Sequence, residues 1–221
     1  MLKLIITDVG GVLIKTDEAI VKCIETVFQA NNIAVGSRDK LLSVFGTSIF
    51  DYIKNYLPAG YEDKSDFCYQ EFKKLYPSQV KHLMTVFPQV NETLSQIKKQ
   101  GINICVLSCM MKNEVEANLS LLDFKDFDII FSLEDYGDKR PLPNGLQMIM
   151  KQLGIAPDQT IYIGDTVNDI QMAKNAGVVS VAVKTGAQSN EQLIQANPDY
   201  LLDHFYQLTE VLNKLNNINN T

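Results

Sequence analysis

With 221 residues, 46% of them hydrophobic, the chain can hold one large core or a core with a smaller companion, and it is too apolar to be disordered. A net charge of -6 without any basic run argues against nucleic acid or an anionic membrane as the main partner. The longest apolar runs fall short of the roughly 18 residues a bilayer span needs. Cys23, Cys68, Cys105 and Cys109 show no CxxC spacing and no secretory signal precedes Asp8, so a cytoplasmic protein with reduced thiols is expected.

Residues 2–14 (LKLIITDVGGVLI) form an apolar run of strand length that breaks into Asp8 and then Gly10-Gly11, where the backbone is expected to turn sharply. From 15 to 84 no strand is expected. Ala19, Ile20, Cys23, Ile24, Val27 and Phe28 recur at helical spacing, and Asn31-Asn32 end the pattern. Ser37 caps a short segment with Leu41, Leu42, Val44 and Phe45 that Gly46 stops. Ile49, Ile53, Tyr56 and Leu57 mark the next helix, closed by Pro58. Ser65 opens another, with Phe67, Cys68, Phe72, Leu75 and Tyr76 on its apolar face, which Pro77 is expected to interrupt.

From Pro88 the rhythm becomes an alternation of helix and strand. Val90, Leu94 and Ile97 share a helix face ended by Gly101, and the strand 102–107 (INICVL) runs directly into Ser108. A helix over 113–122, a strand over 128–131 and a helix from Pro143 through Leu153 follow. The strand 160–163 (TIYI) ends at Gly164-Asp165, a helix continues to Gly177, and 178–183 is a further strand. Ser189 and Gln192 read as a capping box, Tyr200-Leu201-Leu202 as an edge strand, and Phe205, Leu208, Val211, Leu212 and Leu215 as one face of a last helix before an Asn-rich tail expected to fray. Such alternation predicts an α/β fold with a mostly parallel sheet. An all-helical insert at 15–84, within a core made of 1–14 and 85–221, would sit over the strand ends as a lid.

Parallel strands would bring Asp8, Ser108 and Asp165 to one sheet edge, where open α/β sheets bind ligands, although Asp and Ser also end strands simply because they suit turns. Asp165 and Asp169, spaced i and i+4 at a helix entry, can project together toward Asp8. Three crowded carboxylates repel unless a proton or cation joins them, and an all-oxygen set favours Mg²⁺; the lesser alternative is that Asp165 caps its helix and Asp169 faces solvent. Lys139-Arg140, ahead of the rigid Pro141-Leu142-Pro143, can supply a cation for a phosphate and a carboxylate, or be an ordinary basic loop.

Residues 8–13 (DVGGVL), Ser108 in VLS, 140–144 (RPLPN) and 164–169 (GDTVND) follow the order and spacing of the four motifs of the haloacid dehalogenase superfamily. The resemblance spans the whole chain, including a helical cap inserted after the first motif, and implies a Rossmann-like core. It also implies that Asp8 is a nucleophile forming an aspartyl intermediate and that Ser108 hydrogen-bonds the transferred phosphoryl group, with Cys109 and Gly11 lining the same side. Arg140 takes the place usually held by a lysine, with Lys139 as a possible substitute. Asp8, the backbone carbonyl of Gly10, Asp165 and Asp169 would hold Mg²⁺.

Two departures from the superfamily pattern bear on activity. Gly10 stands where phosphatases of this kind carry a second aspartate, the acid and base of the reaction, typically worth about 10² to 10⁴ in rate. Arg140 in its proline-rich context is most similar to the phosphonatase-like branch, yet Ile49 in 46–51 (GTSIFD) stands where that branch has its Schiff-base lysine, leaving only Lys15 or Lys54 to supply an amine. The expected function is a Mg²⁺-dependent hydrolase of a small phosphorylated metabolite, acting as monomer or homodimer. The alternatives are a carbon-phosphorus hydrolase and a binding or regulatory protein made slow by Gly10. His82 and His204 match no motif.

Overall fold

A computed structural model describes residues 1–38, 41, 48–137 and 140–218. Strand β1 (Leu4–Thr7) is buried along its whole length, as a run of Leu, Ile, Ile and Thr at the centre of an α/β sheet must be. β1 lies between β4 (Asn103–Leu107) and β6 (Thr160–Gly164). Beyond β4 comes β5 (Ile129–Phe131), and beyond β6 come β7 (Val179–Val183) and β8 (Tyr200–Leu202). All five pairings are parallel. Thr7 pairs with Val106 on one side and Ile163 on the other, so the residues that follow emerge at one edge, beside the point where the strand order changes direction.

Successive side chains along these strands feed two cores. Ile5, Ile104, Val106, Ile161 and Ile163 face one side, and Leu4, Ile6, Cys105, Leu107 and Tyr162 the other.

Two short strands, β2 (Ile14–Lys15) and β3 (Thr85–Val86), pair antiparallel, and the helices between them form a layer of their own. In α1 (Asp17–Ala30) the residues picked out by helical spacing, from Ala19 to Phe28, are all buried, and Val21 joins them. α2 (Ile49–Tyr56) starts at Ser48, whose hydroxyl accepts the Asp51 N–H. α3 (Ser65–Leu83) corrects one expectation: it continues through Pro77. A proline inside a helix costs about 3 kcal/mol, and α3 recovers this by packing along α1 and by burying Cys68, Phe72 and Tyr76. Of the helical segment expected over 41–45 only Leu41, which is buried, lies among the described residues; the Gly46 stop lies outside them.

The sheet is flanked by α4 (Val90–Lys99), α5 (Lys112–Leu119), the single turn α6 (Leu133–Tyr136), α7 (Asn144–Leu153), α8 (Val167–Ala176), α9 (Asn190–Gln195) and α10 (Leu208–Ile218). Ser189 and Gln192 make the expected reciprocal cap of α9. α10 extends into the Asn-rich stretch expected to fray, and α6 was not expected because one turn carries no periodicity. No helix among the described residues is long and apolar enough to cross a membrane.

Candidate active site

Asp8, the first residue past β1, is 5% exposed. Its Oδ1 accepts the Val9 N–H at 2.7 Å and its Oδ2 accepts Arg140 Nη1 at 2.7 Å. The same Nη1 donates to Asp169 Oδ1 at 2.6 Å, while Arg140 Nη2 donates to the Leu107 carbonyl at the end of β4 at 3.1 Å. Arg140, 132 positions from Asp8 in sequence, is thus a buried clamp between two carboxylates. Lys139, the other cation expected here, lies outside the described residues.

Asp169 is the most heavily bonded group of the cluster. Besides Arg140, its Oδ1 accepts the Tyr162 hydroxyl at 2.9 Å, and its Oδ2 accepts the Asp165 N–H, the Thr166 N–H and the Thr166 hydroxyl. Thr166 in turn accepts the Asp169 N–H, completing a capping box at the start of α8. Asp165, 7% exposed, receives no side-chain hydrogen bond from the described residues, yet one oxygen from each of Asp8, Asp165 and Asp169 lies within 4.8 Å of the others.

Burial first, and then the charges of Asp169 and Asp8, hold the Asp165 carboxyl well above its ordinary range. Burial opposes the charge on Arg140, but Asp169 and Asp8 prevail and strengthen its grip on the proton. Burial also pushes the Cys109 thiol up to about 12, against the pull of Arg140, so Cys109 is no thiolate nucleophile at neutral pH. Ser108, also at the end of β4, is 1% exposed, and its hydroxyl accepts the Met110 N–H at 3.3 Å.

Asp8, Ser108, Cys109, Arg140, Asp165 and Thr166 line a cavity of about 50 Å³, with Asp169 behind them. Asp8, Arg140 and Asp165 form its polar side; Ile20 from α1, Ile49 from α2 and Met110 form an apolar side. Gly11 contributes in a different way from that expected. Its N–H donates to Ile14 O and its carbonyl accepts the Thr185 hydroxyl, so neither is spare for a phosphate. At φ +73° it makes the turn, and a Cβ there would collide with the Asp165 carboxylate. Lys15 and Lys54 are exposed and do not line the cavity, and His82 and His204 are exposed.

Sequence reasoning passed over Tyr162 and Thr185, which no motif marks. It also missed the role of Thr166, although a threonine three residues before an acid is a capping signal.

The chain can also be compared with known proteins. The family model described as haloacid dehalogenase-like hydrolase matches residues 5–183. The chain belongs to that family. Pyrophosphatase PpaX of Bacillus mycoides is 27% identical over 213 residues, covering 96% of this chain and 97% of its own. A structure from Haemophilus somnus, described as a predicted phosphoglycolate phosphatase, superposes with a TM-score of 0.88 at 21% identity, covering 96% of this chain and 98% of its own. CbbY of Rhodobacter sphaeroides, solved in complex with phosphate, gives 0.81 at 22% identity over 94% of this chain and 96% of its own. The chain is a hydrolase of this family, with phosphatase-type relatives; none of these matches singles out the phosphonatase-like branch.

Proposed function

We propose that this hydrolase is a Mg²⁺-dependent phosphohydrolase of a small phosphorylated metabolite, working through an aspartyl-phosphate on Asp8. The observation that carries the reading is the charge count at the strand ends. Among the described residues one buried cation, Arg140, serves Asp8 and Asp169, and Asp165 is left without one. With all three carboxylates ionised, two negative charges remain in excess, which one divalent cation matches. Asp8, Asp165 and the Gly10 carbonyl would hold it. Asp169, whose oxygens already accept five donors, would support it by holding Arg140. Bound there, Mg²⁺ would screen the carboxylates from an incoming phosphoryl group.

The chain's own residues supply the remaining requirements. The Val9 N–H fixes the rotamer of Asp8, so that one carboxylate oxygen can attack phosphorus without reorganising. Arg140 would offset the repulsion between that carboxylate and a phosphate dianion, and the Ser108 hydroxyl would donate to a phosphoryl oxygen. Residues 15–84 would act as the cap, with Ile20 and Ile49 keeping water from the site. The imine route finds no support, because among the described residues Ile49 and not an amine faces the cavity.

Asp8→Asn keeps the size of the side chain and removes its charge, so phosphate release should vanish while the fold persists. EDTA should inactivate the wild type and Mg²⁺ restore it. Undiminished turnover by the variant, or full activity in metal-free buffer, would sink the reading.

A further inference from the structure

The surroundings of Gly10 bear on which phosphorylated compounds the site can use. Gly10 does not have a left-handed φ, so its backbone would accept an aspartate. The space, however, is filled. A Cβ at this position would stand 2.9 Å from Thr16 Oγ1 and 3.3 Å from Met110 Cε. Thr16 is 4% exposed, β-branched and fixed at the start of α1, so it cannot swing aside as a flexible side chain would. The chain is therefore packed for glycine at this point.

Among the described residues the facing wall does not replace the missing acid. Ile20, Ile49 and Met110 carry no transferable proton, and Cys109 stands among Arg140, Asp8 and Asp169 on the phosphoryl side. Among the described lining residues Arg140 is the only cation, and it is committed to Asp8 and Asp169, which leaves none for a second phosphate or a carboxylate on the substrate. The cavity of about 50 Å³ exceeds the roughly 10 to 15 Å³ that one water needs on this measure, so it has room for a phosphoryl group with a short substituent.

We infer that the preferred substrates are small acyl phosphates, whose leaving group is a carboxylate that departs without a proton and whose short alkyl end suits the Ile20, Ile49 and Met110 wall. This deepens the hydrolase reading above and rests on it. In the first step an Asp8 oxygen forms a bond to phosphorus while the bond from phosphorus to the acyl oxygen breaks, and the carboxylate leaves with the electron pair. In the second step water attacks the same phosphorus, the Asp8 carboxylate leaves in its turn, and the proton of water passes to the departing phosphate. Neither leaving group needs an acid. A loose transition state, with little bonding to the attacking water, also makes a general base less important.

The test compares kcat/KM of the wild type on acetyl phosphate, pyrophosphate and the alkyl ester glycerol phosphate, with Asp8→Asn as the blank. Acetyl phosphate should lead the alkyl ester by at least about 10², the lower end of what a general acid supplies. Pyrophosphate should trail acetyl phosphate by more than tenfold. In the double variant Gly10→Asp with Thr16→Ala, the alkyl ester should gain selectively and narrow the gap. A wild type that treats the alkyl ester or pyrophosphate within tenfold of acetyl phosphate would overturn the inference while leaving the hydrolase reading intact. Phosphate release no faster than the Asp8→Asn blank on every compound would overturn both.

Discussion

Glu114, on α5, is a carboxylate buried between the sheet domain and the helical layer, with only 2% of its surface exposed. Its Oε2 accepts the Met111 N–H at 2.9 Å and its Oε1 accepts no hydrogen bond. Tyr69, Lys73 and Tyr76 of α3 and Glu134 of α6 are ionisable groups around it. Burial pushes its carboxyl from 4.5 up to about 7, the Met111 N–H and Lys73 pulling back. The folded protein therefore keeps this proton up to about pH 7, while the unfolded chain releases it near 4.5. Between those values the unfolded state binds fewer protons, so stability falls as pH rises, by about 1.4 kcal/mol per pH unit and about 3 kcal/mol in all by pH 8. Glu114→Gln cannot ionise and still accepts from Met111. Its advantage over wild type should be near zero at pH 4.5 and about 3 kcal/mol at pH 8, or roughly 6 to 12 °C in Tm for a chain of this size. Calorimetry at the two pH values measures the difference, and Asp165 cancels because both proteins carry it. An advantage that is equal at both pH values, or a wild type that is the more stable at pH 8, would refute the reasoning.

Asp169→Asn should cost about 1 to 3 kcal/mol, because it takes one of two carboxylates from the buried Arg140, which keeps Asp8, and weakens the charged bonds to Tyr162 and Thr166; denaturant unfolding checks this. Turnover should fall by at least about 10² as Arg140 loses its position, with Mg²⁺ affinity, read by calorimetric titration, falling much less than in Asp165→Asn. Gly11→Ala combines an unfavourable φ with a collision against Asp165, so it should lose about 1 to 3 kcal/mol of stability and weaken Mg²⁺ binding together. An alanine variant with native affinity would show that Asp165 has room to spare.

The alternating part of the chain was legible because each strand is an apolar run bounded by a polar end, and the ends of β1, β4 and β6 meet as the parallel arrangement requires. Asp8, Ser108 and Asp165 come together at that edge because they follow three adjacent parallel strands, and Arg140 and Asp169 reach it from a loop and from the start of α8. What escaped was of two kinds. β2, β3 and α6 are too short for any period to be seen, and α3 runs through a proline because its packing against α1 outweighs a local penalty. The division of labour among the aspartates was hidden for a different reason: spacing says that Asp165 and Asp169 share a helix entry, but only the placement of Tyr162, Thr166 and Arg140 shows that Asp169 is saturated and Asp165 is not. Likewise, the sequence marks Gly10 as an absence, and the side chain that fills the gap, Thr16, lies six residues on.

The pairing of β2 with β3 has a further consequence for how such a chain diversifies. Ile14 sits opposite Val86 and Lys15 opposite Thr85, so the two places where the chain leaves and re-enters the sheet domain are side by side. A segment whose ends are already closed can be lengthened, shortened or replaced at little entropic cost to the remainder. The register that assembles Asp8, Ser108 and Asp165 depends on β1, β4 and β6 and passes through none of the intervening helices. Grafting a different helical layer between residues 15 and 85 should therefore change which compound reaches Asp8 while leaving the phosphoryl chemistry in place, so that selectivity and reactivity can be inherited separately.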